Sequence, residues 1–360
     1  MKNIIAALLL TILYTTAFSQ QKDFTILGKV VDSASRQPLN GASAYCQNTT
    51  HGTITNNEGL FFMRLPNGGY DLIVSYTGYN KSVLRISSNQ AMADTVVIEL
   101  VKEEKTMTEV AVVASNEVQD GLAKYGSFFT DHFIGTTPNA SQCVLRNPEA
   151  LRFFYTKKRN RLKVTAREDL IITNYALGYT IRYQLDSFSY DYNTNISQYT
   201  GYPFFQEIDS TTEAQAAWKK NRAKTYLGSR LHFMRSLYDS VAIEEGFIVE
   251  KMDNDPKSVK GTIINNLYDG EQYVADSNDV TINWQGRYRV SYKTVFPEKR
   301  FLQEFKLPAN TRMQVTLLDI ADGFVIEENG YFYEQYDVIN TGYWAWKKLA
   351  ELLPYNYEYE

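Results

Sequence analysis

The chain has 360 residues and 37 Lys and Arg against 41 Asp and Glu, a net charge of −4, with 3 His and 2 Cys. Mild acidity excludes the basic footprint of a nucleic-acid binder, and two cysteines do not make a disulfide framework. The length predicts two domains of ordinary size, and 27 Tyr suit half-buried strands whose outer edges stay wet.

Residues 1–19 read as a secretory signal peptide. Lys2 supplies the positive start, Ile4 to Ala17 the apolar stretch, and Ala17-Phe18-Ser19 the small residues before cleavage at Gln20. An uncleaved anchor is the alternative, although the apolar stretch is short for a membrane span. Cys46 is the first cysteine, so lipid attachment at an N-terminal Cys is not expected. After cleavage no transmembrane segment is predicted, because no later run is long and apolar enough.

From Phe24 to Leu100 short alternating stretches are separated by turn residues. Phe24, Ile26, Gly28 and Val30 form the first, and Ala42 to Gln47, Leu60 to Leu65, Tyr70 to Tyr76, Tyr79 to Ile86 and Thr95 to Leu100 follow. Thr55 to Gly59 and Pro66-Asn67-Gly68-Gly69 are turns by composition. Such spacing predicts an all-β sandwich. The series Gly28-Lys-Val-Val-Asp32, Pro38-Leu-Asn-Gly-Ala42, Thr55-Asn-Asn-Glu-Gly59-Leu-Phe61, Gly69-Tyr-Asp-Leu72 and Ser75-Tyr-Thr-Gly-Tyr79 resembles the carboxypeptidase-regulatory-like domain. That resemblance implies a seven-stranded Greek-key sandwich of transthyretin type over 24–101, common in exported proteins of the Bacteroidetes type. It implies no catalytic residue.

Residues 102–120 read as a linker, charged at Glu103-Glu-Lys105 and strand-like at Val110 to Val113. Glu109 to Ala114 is similar to the segment that TonB grips in outer-membrane receptors; a covered linker strand is the plainer reading, and too few residues remain for a plug and barrel.

Residues 121–360 predict an α+β domain with antiparallel strands. Strands are expected at Arg161 to Arg167, Tyr179 to Leu185 and Tyr288 to Phe296, with Lys158-Arg-Asn160 turning a hairpin between Leu151–Tyr155 and Leu162–Ala166. Leu227, Leu231, Met234 and Tyr238 predict one helix over Thr211 to Asp239, kinked at Gly228. A last helix is expected from Tyr343 to Leu353, stopped by Pro354. Asn147-Pro-Glu-Ala-Leu151, Ala176-Leu-Gly-Tyr179, Gly201-Tyr-Pro-Phe-Phe205 and Gly342-Tyr-Trp344 resemble the C-terminal half of uncharacterised exported proteins that carry the same sandwich. This bears on the domain boundary and names no activity.

No catalytic, cofactor-binding or metal-binding residue is predicted. His51, His132 and His232 are far apart, the one nearest a cysteine being His51, five residues after Cys46, and no H-E-x-x-H or G-x-S-x-G occurs. His232 reads as a packed helix residue. Cys46 and Cys143 fall in different predicted domains and read as two separate thiols, with a bridge as the alternative. Glu244-Glu245 and Glu327-Glu328 read as solvated pairs. Lys219, Lys220, Arg222, Lys224, Arg230 and Arg235 scatter around the helix at about 100° per residue and read as solvated helix surface, with lipid phosphates, an acidic polysaccharide or a partner as the alternative. The aromatic segments Tyr190 to Phe205 and Tyr331 to Tyr336 fit either strand packing or stacking on sugar rings. Asp32-Ser-Ala, Asp94-Thr-Val, Asp209-Ser-Thr and Asp239-Ser-Val resemble the O-glycosylation sequon of Bacteroidetes-type envelopes.

The sequence therefore predicts an exported, non-enzymatic binding or accessory protein of the periplasm or outer membrane, its partner an envelope protein or a glycan. The alternative is a periplasmic or secreted hydrolase of glycans or peptides whose site is assembled in the C-terminal domain.

Overall fold

A computed structural model describes residues 23–88, 95–103, 116–253, 255, 258–276 and 278–359. The leader 1–19, the strand-like run at 110–113 and the Asp94 sequon lie outside the described residues.

The N-terminal part holds β1 (Asp23–Asp32), β2 (Ser43–Cys46), β3 (Gly52–Ile54), β4 (Leu60–Pro66), β5 (Gly69–Ser75), β6 (Ser82–Ser87) and β7 (Val96–Leu100). They form a three-stranded sheet in the order β4-β1-β7 and a four-stranded sheet in the order β3-β2-β5-β6. Alternation along β1 and β4 sends Ile26, Val30, Phe61, Met63 and Leu65 into one core with Ala44, Leu72, Val74 and Ile86 from the opposing sheet. The expected sandwich is present.

The next unit contains α1 (Gly121–Phe133), β8 (Cys143–Leu145), β9 (Leu151–Thr156), β10 (Arg161–Ala166), β11 (Leu170–Asn174), β12 (Tyr179–Asp191) and β13 (Ile196–Glu207). β12 is the spine of this antiparallel sheet. β13 lies along its whole length on one side, while β10 and β11 share the other. Asn160, at φ 48°, closes the β9–β10 hairpin where Lys158-Arg-Asn160 was expected to turn. Phe129 and Phe133 of α1 cover the sheet against Phe153, Ile181 and Phe188.

Two helices, α2 (Thr212–Tyr226) and α3 (Arg230–Tyr238), replace the single helix expected over 211–239. Gly228 at φ +74° lies against Tyr292 and Gln314, and Ser229 then caps α3 by accepting from the His232 backbone N–H at 3.1 Å. A left-handed residue followed by a new N-cap ends a helix and does not merely kink it.

The last unit has β14 (Phe247–Met252), β15 (Gly261–Ile263), β16 (Tyr273–Ala275), β17 (Asp279–Ile282), β18 (Gly286–Tyr292), α4 (Lys299–Glu304), β19 (Gln314–Ile320), β20 (Phe324–Glu327), β21 (Val338–Gly342) and α5 (Tyr343–Trp346). The sheets run β15-β14-β18-β19-β21 and β16-β17-β20, with Trp284, Phe233, Phe247 and Tyr288 buried between their elements. Within 121–360 the buried side chains thus form two large cores.

The expected helix over 343–353 is only one turn, α5, followed by a short 3-10 turn at Leu349–Glu351. Trp344 packs with the last core, Trp346 with Phe301, and Leu349 with the middle core. No single helical stripe faces three directions, so the helix breaks at Lys347.

The sandwich is fastened to the rest at several places, two of them through its loops. Its β2–β3 loop inserts between β13 and the C-terminal tail: the Phe205 N–H donates to the Thr49 carbonyl at 2.9 Å and the Tyr355 N–H to the Asn48 carbonyl at 2.7 Å. At the β4–β5 turn Asn329 donates to the Gly69 carbonyl at 3.0 Å, and the Tyr331 hydroxyl donates to Asp71 at 3.0 Å.

Candidate functional site

A cleft of about 390 Å3 opens where the sandwich loop, the β12–β13 hairpin, α2 and the C-terminal tail converge. Tyr179, Glu207, Trp218, Arg222, Asn356 and Tyr357 are among its lining residues. Its size falls within the range of ordinary small-ligand pockets.

Local sequence explains how each wall is placed. The stretch Ala214 to Lys224 is rich in Ala, Lys and Gln, good helix formers, and Thr211 caps it by accepting from the Ala214 N–H at 3.3 Å. In the turn before β12, Asn174 accepts from the N–H groups of Ala176 and Leu177 and donates to the Ala350 carbonyl. Gly178 follows at φ +71°, and a side chain there would collide with the Trp218 indole. That indole donates through Nε1 to the Tyr175 carbonyl at 2.7 Å, so turn and helix hold each other.

Arg222 is the centre of the charge pattern. Its guanidinium lies 3.9 Å from the Tyr179 ring centroid. It donates to Glu207 Oε1 at 2.8 Å, the Leu177 carbonyl at 2.7 Å and the Gly178 carbonyl at 3.3 Å. Burial pushes the Tyr357 hydroxyl up to about 12, partly opposed by Arg222, and burial raises Tyr179 further still. Both phenols remain protonated donors at neutral pH. Asn356 exchanges hydrogen bonds with Thr50, at 3.0 Å from its backbone N–H and 2.6 Å to its hydroxyl. The result is a cleft of aromatic rings, amides and charged groups, among them the tethered Arg222–Glu207 pair. Such a lining gives ring faces to C–H surfaces and planar polar groups to hydroxyls.

The histidines and cysteines weighed from the sequence do not line the cleft. His51 sits in the β2–β3 loop, and burial lowers its pKa. His132 of α1 stacks on Phe128 at 4.1 Å. His232 is buried in α3, its Nδ1 accepting from the Gly228 N–H at 3.1 Å and its Nε2 3.4 Å from Glu245. Cys46 and Cys143 are both free thiols; burial raises both, Cys143 to about 12. Among the described residues no group of three or more His, Cys, Asp or Glu is placed to hold a metal ion. No helix of the described residues is long and apolar enough to cross a membrane.

Two expectations are corrected. Glu327 is not solvated: it is 1% exposed and accepts from Ser87 at 2.8 Å and Tyr333 at 2.7 Å, and burial raises its pKa. Arg222 and Arg235 are not loose helix surface either. Arg235 donates to the carbonyls of Asn329, Tyr355 and Tyr357 at 3.1, 2.8 and 2.7 Å, tying down the tail that lines the cleft. Asp32, at the end of β1, accepts from Ser35 and Tyr79, and those donors hold its carboxyl well below the usual range. Among the cleft residues the sequence reading missed Trp218 and Tyr357. Its available signals were the Ala176-Leu-Gly-Tyr179 motif and the basic run on α2, and neither indicated the distant tail.

Known proteins offer little about this site. No curated protein matches the chain. Similar solved structures include a streptococcal ancillary pilin, at 16% identity over 24% of this chain and 31% of that one, with a TM-score of 0.21. Another is a 9R-lipoxygenase from Cyanothece PCC8801, at 9% identity over 64% and 50%, with a TM-score of 0.16. A third is a Bacteroides fragilis NCTC 9343 protein described as membrane-associated and of unknown function, at 11% identity over 84% and 93%, with a TM-score of 0.19. The chain thus spans less than a third of the pilin and half of the lipoxygenase. Likeness this weak carries no functional argument. The family comparison is specific to the sandwich: residues 26–112 match the CarboxypepD_reg-like domain, so the N-terminal part of this chain is a carboxypeptidase-regulatory-like β-sandwich.

Proposed function

We propose that the protein is an exported, non-enzymatic binding or accessory protein of the cell envelope, and that it takes a glycan in the cleft between α2, the β12–β13 hairpin and the tail. The observation that carries this reading is the state of the cleft's polar groups. Arg222 is held by Glu207 and two carbonyls, Trp218 by Tyr175 and Asn356 by Thr50, leaving a fixed surface of rings and planar edges. Rigid, prearranged groups favour recognition. The leader-like residues 1–19 and the sandwich's occurrence in exported proteins support the envelope setting.

Two measurements test the reading. Fractionation of the native cells, with the mass of the recovered chain, should place it in the envelope without residues 1–19; an intact chain recovered from cytosol refutes export. Calorimetric titration with soluble muropeptides and lipopolysaccharide-core oligosaccharides should give binding that Trp218→Ala abolishes. Cleavage of either glycan would contradict the non-enzymatic part of the reading.

A further inference from the structure

The loop between β18 and β19 has a composition that neither core nor cleft uses. Tyr292 and Gln314 pair across the two strands, so residues 293–313 leave and re-enter the sheet at one point. The inward side is accounted for. Phe301 packs on Tyr343 and Trp346 at 4.9 and 5.4 Å between ring centroids. The loop's two acids are already engaged: Glu298 lies 3.6 Å from Lys347, and Glu304, itself exposed, accepts from the Trp346 indole at 3.0 Å and from Thr136 at 3.1 Å.

The outward side is different. Phe296 is 62% exposed, Phe305 49%, Leu307 40% and Met313 41%. Interleaved with them, Lys293, Lys299, Arg300, Lys306 and Arg312 are also exposed. None of these five side chains has an ion-pair or hydrogen-bond partner among the described residues. In a chain of net charge −4, a short loop that exposes five unpaired cations and four large apolar side chains is a concentrated local exception.

We propose that residues 293–313 dock the protein on the surface of an anionic lipid bilayer. Phe296, Phe305, Leu307 and Met313 enter the headgroup layer while the five cations meet lipid phosphates. Interfacial attachment combines these two terms, buried apolar area and attraction to anionic headgroups. Charge complementarity chooses phosphate-bearing lipid, and the alternation of apolar tips with cations chooses a layered surface. An acidic protein would offer charge without a fluid apolar layer beside it. This proposal does not depend on the cleft.

The test is co-sedimentation of the full chain with vesicles of phosphatidylethanolamine and phosphatidylglycerol, against vesicles of phosphatidylcholine. The apolar stretch near the N-terminus is present in every variant, so the readouts are the wild type's preference between the two vesicle types and the change in the variants relative to it. Each cation near an anionic surface is worth about five-fold in partitioning, so Lys299→Glu/Arg300→Glu/Lys306→Glu should lower binding to the anionic vesicles by about a hundred-fold or more. Phe296→Ser/Phe305→Ser should also lower it, and added salt should weaken the wild type. Circular dichroism checks that these surface variants stay folded. The proposal is overturned if both variants bind as wild type does, or if wild type treats the two vesicle types alike. It is equally overturned if the loop cations bind soluble heparin or an acidic protein while the vesicles are ignored.

Discussion

Gly178→Ala tests how the cleft is built. Gly178 has φ +71°, and a Cβ there would stand 2.8 Å from Trp218 Cγ and closer still to Cδ2 and Cε3. The left-handed backbone costs an alanine about 1–2 kcal/mol. Overpacking against the indole adds about 1–3 kcal/mol, because Trp218 is held by its bond to the Tyr175 carbonyl and cannot swing away freely. The expected loss is therefore about 2–5 kcal/mol. Urea unfolding followed by circular dichroism measures it, in the wild-type background and again with Trp218→Ala. Removing the indole removes the collision, so in that background only the backbone part of about 1–2 kcal/mol should remain. An equal loss in both backgrounds would refute the claim that Gly178 exists to seat Trp218.

Other outcomes follow from the same contacts. Glu327→Gln should raise the urea midpoint near neutral pH and leave it unchanged in acid. Burial raises the folded pKa of Glu327, so its stabilising contribution is complete below the unfolded pKa and is lost as pH rises through the folded one. A midpoint that is lower at neutral pH would contradict this. Arg235→Ala frees two carbonyls in the tail and that of Asn329 and should destabilise by about 2–4 kcal/mol, with protease cutting first within the tail beyond Pro354. Unchanged protease resistance of the tail would contradict that. Cys46 and Cys143 should react slowly with a thiol reagent in the folded chain and both react in guanidinium. Fewer than two thiols after denaturation would mean a bridge.

The sandwich was legible because its signals are local. Asn56 and Gly59 make a turn whose own side chain closes it, Asn56 Oδ1 accepting from Glu58 and Leu60. β12 was legible as well, since Tyr179, Ile181, Tyr183 and Leu185 alternate inward along it. Helix α1 went unread. Phe129 and Phe133 share a face, but two glycines and the acids around it weaken the pattern. Gly228 announced itself as a defect, yet only Ser229 shows that a new helix begins there. The cleft lay beyond local reading for a stronger reason. Trp218 and Tyr357 belong to distant parts of the chain, and they meet only because Arg235 and Asn48 hold the tail in place. The burial of Glu327 is likewise a property of the docked sandwich, through Ser87, and adjacent acids on a strand carry no sign of it.

The most direct test of the central claim is saturation-transfer NMR of the full chain with soluble muropeptides and lipopolysaccharide-core oligosaccharides. A glycan seated in the cleft predicts transfer to its sugar-ring protons, lost with Trp218→Ala and retained with Phe296→Ser/Phe305→Ser. Transfer from neither glycan, or undiminished transfer in Trp218→Ala, would contradict it.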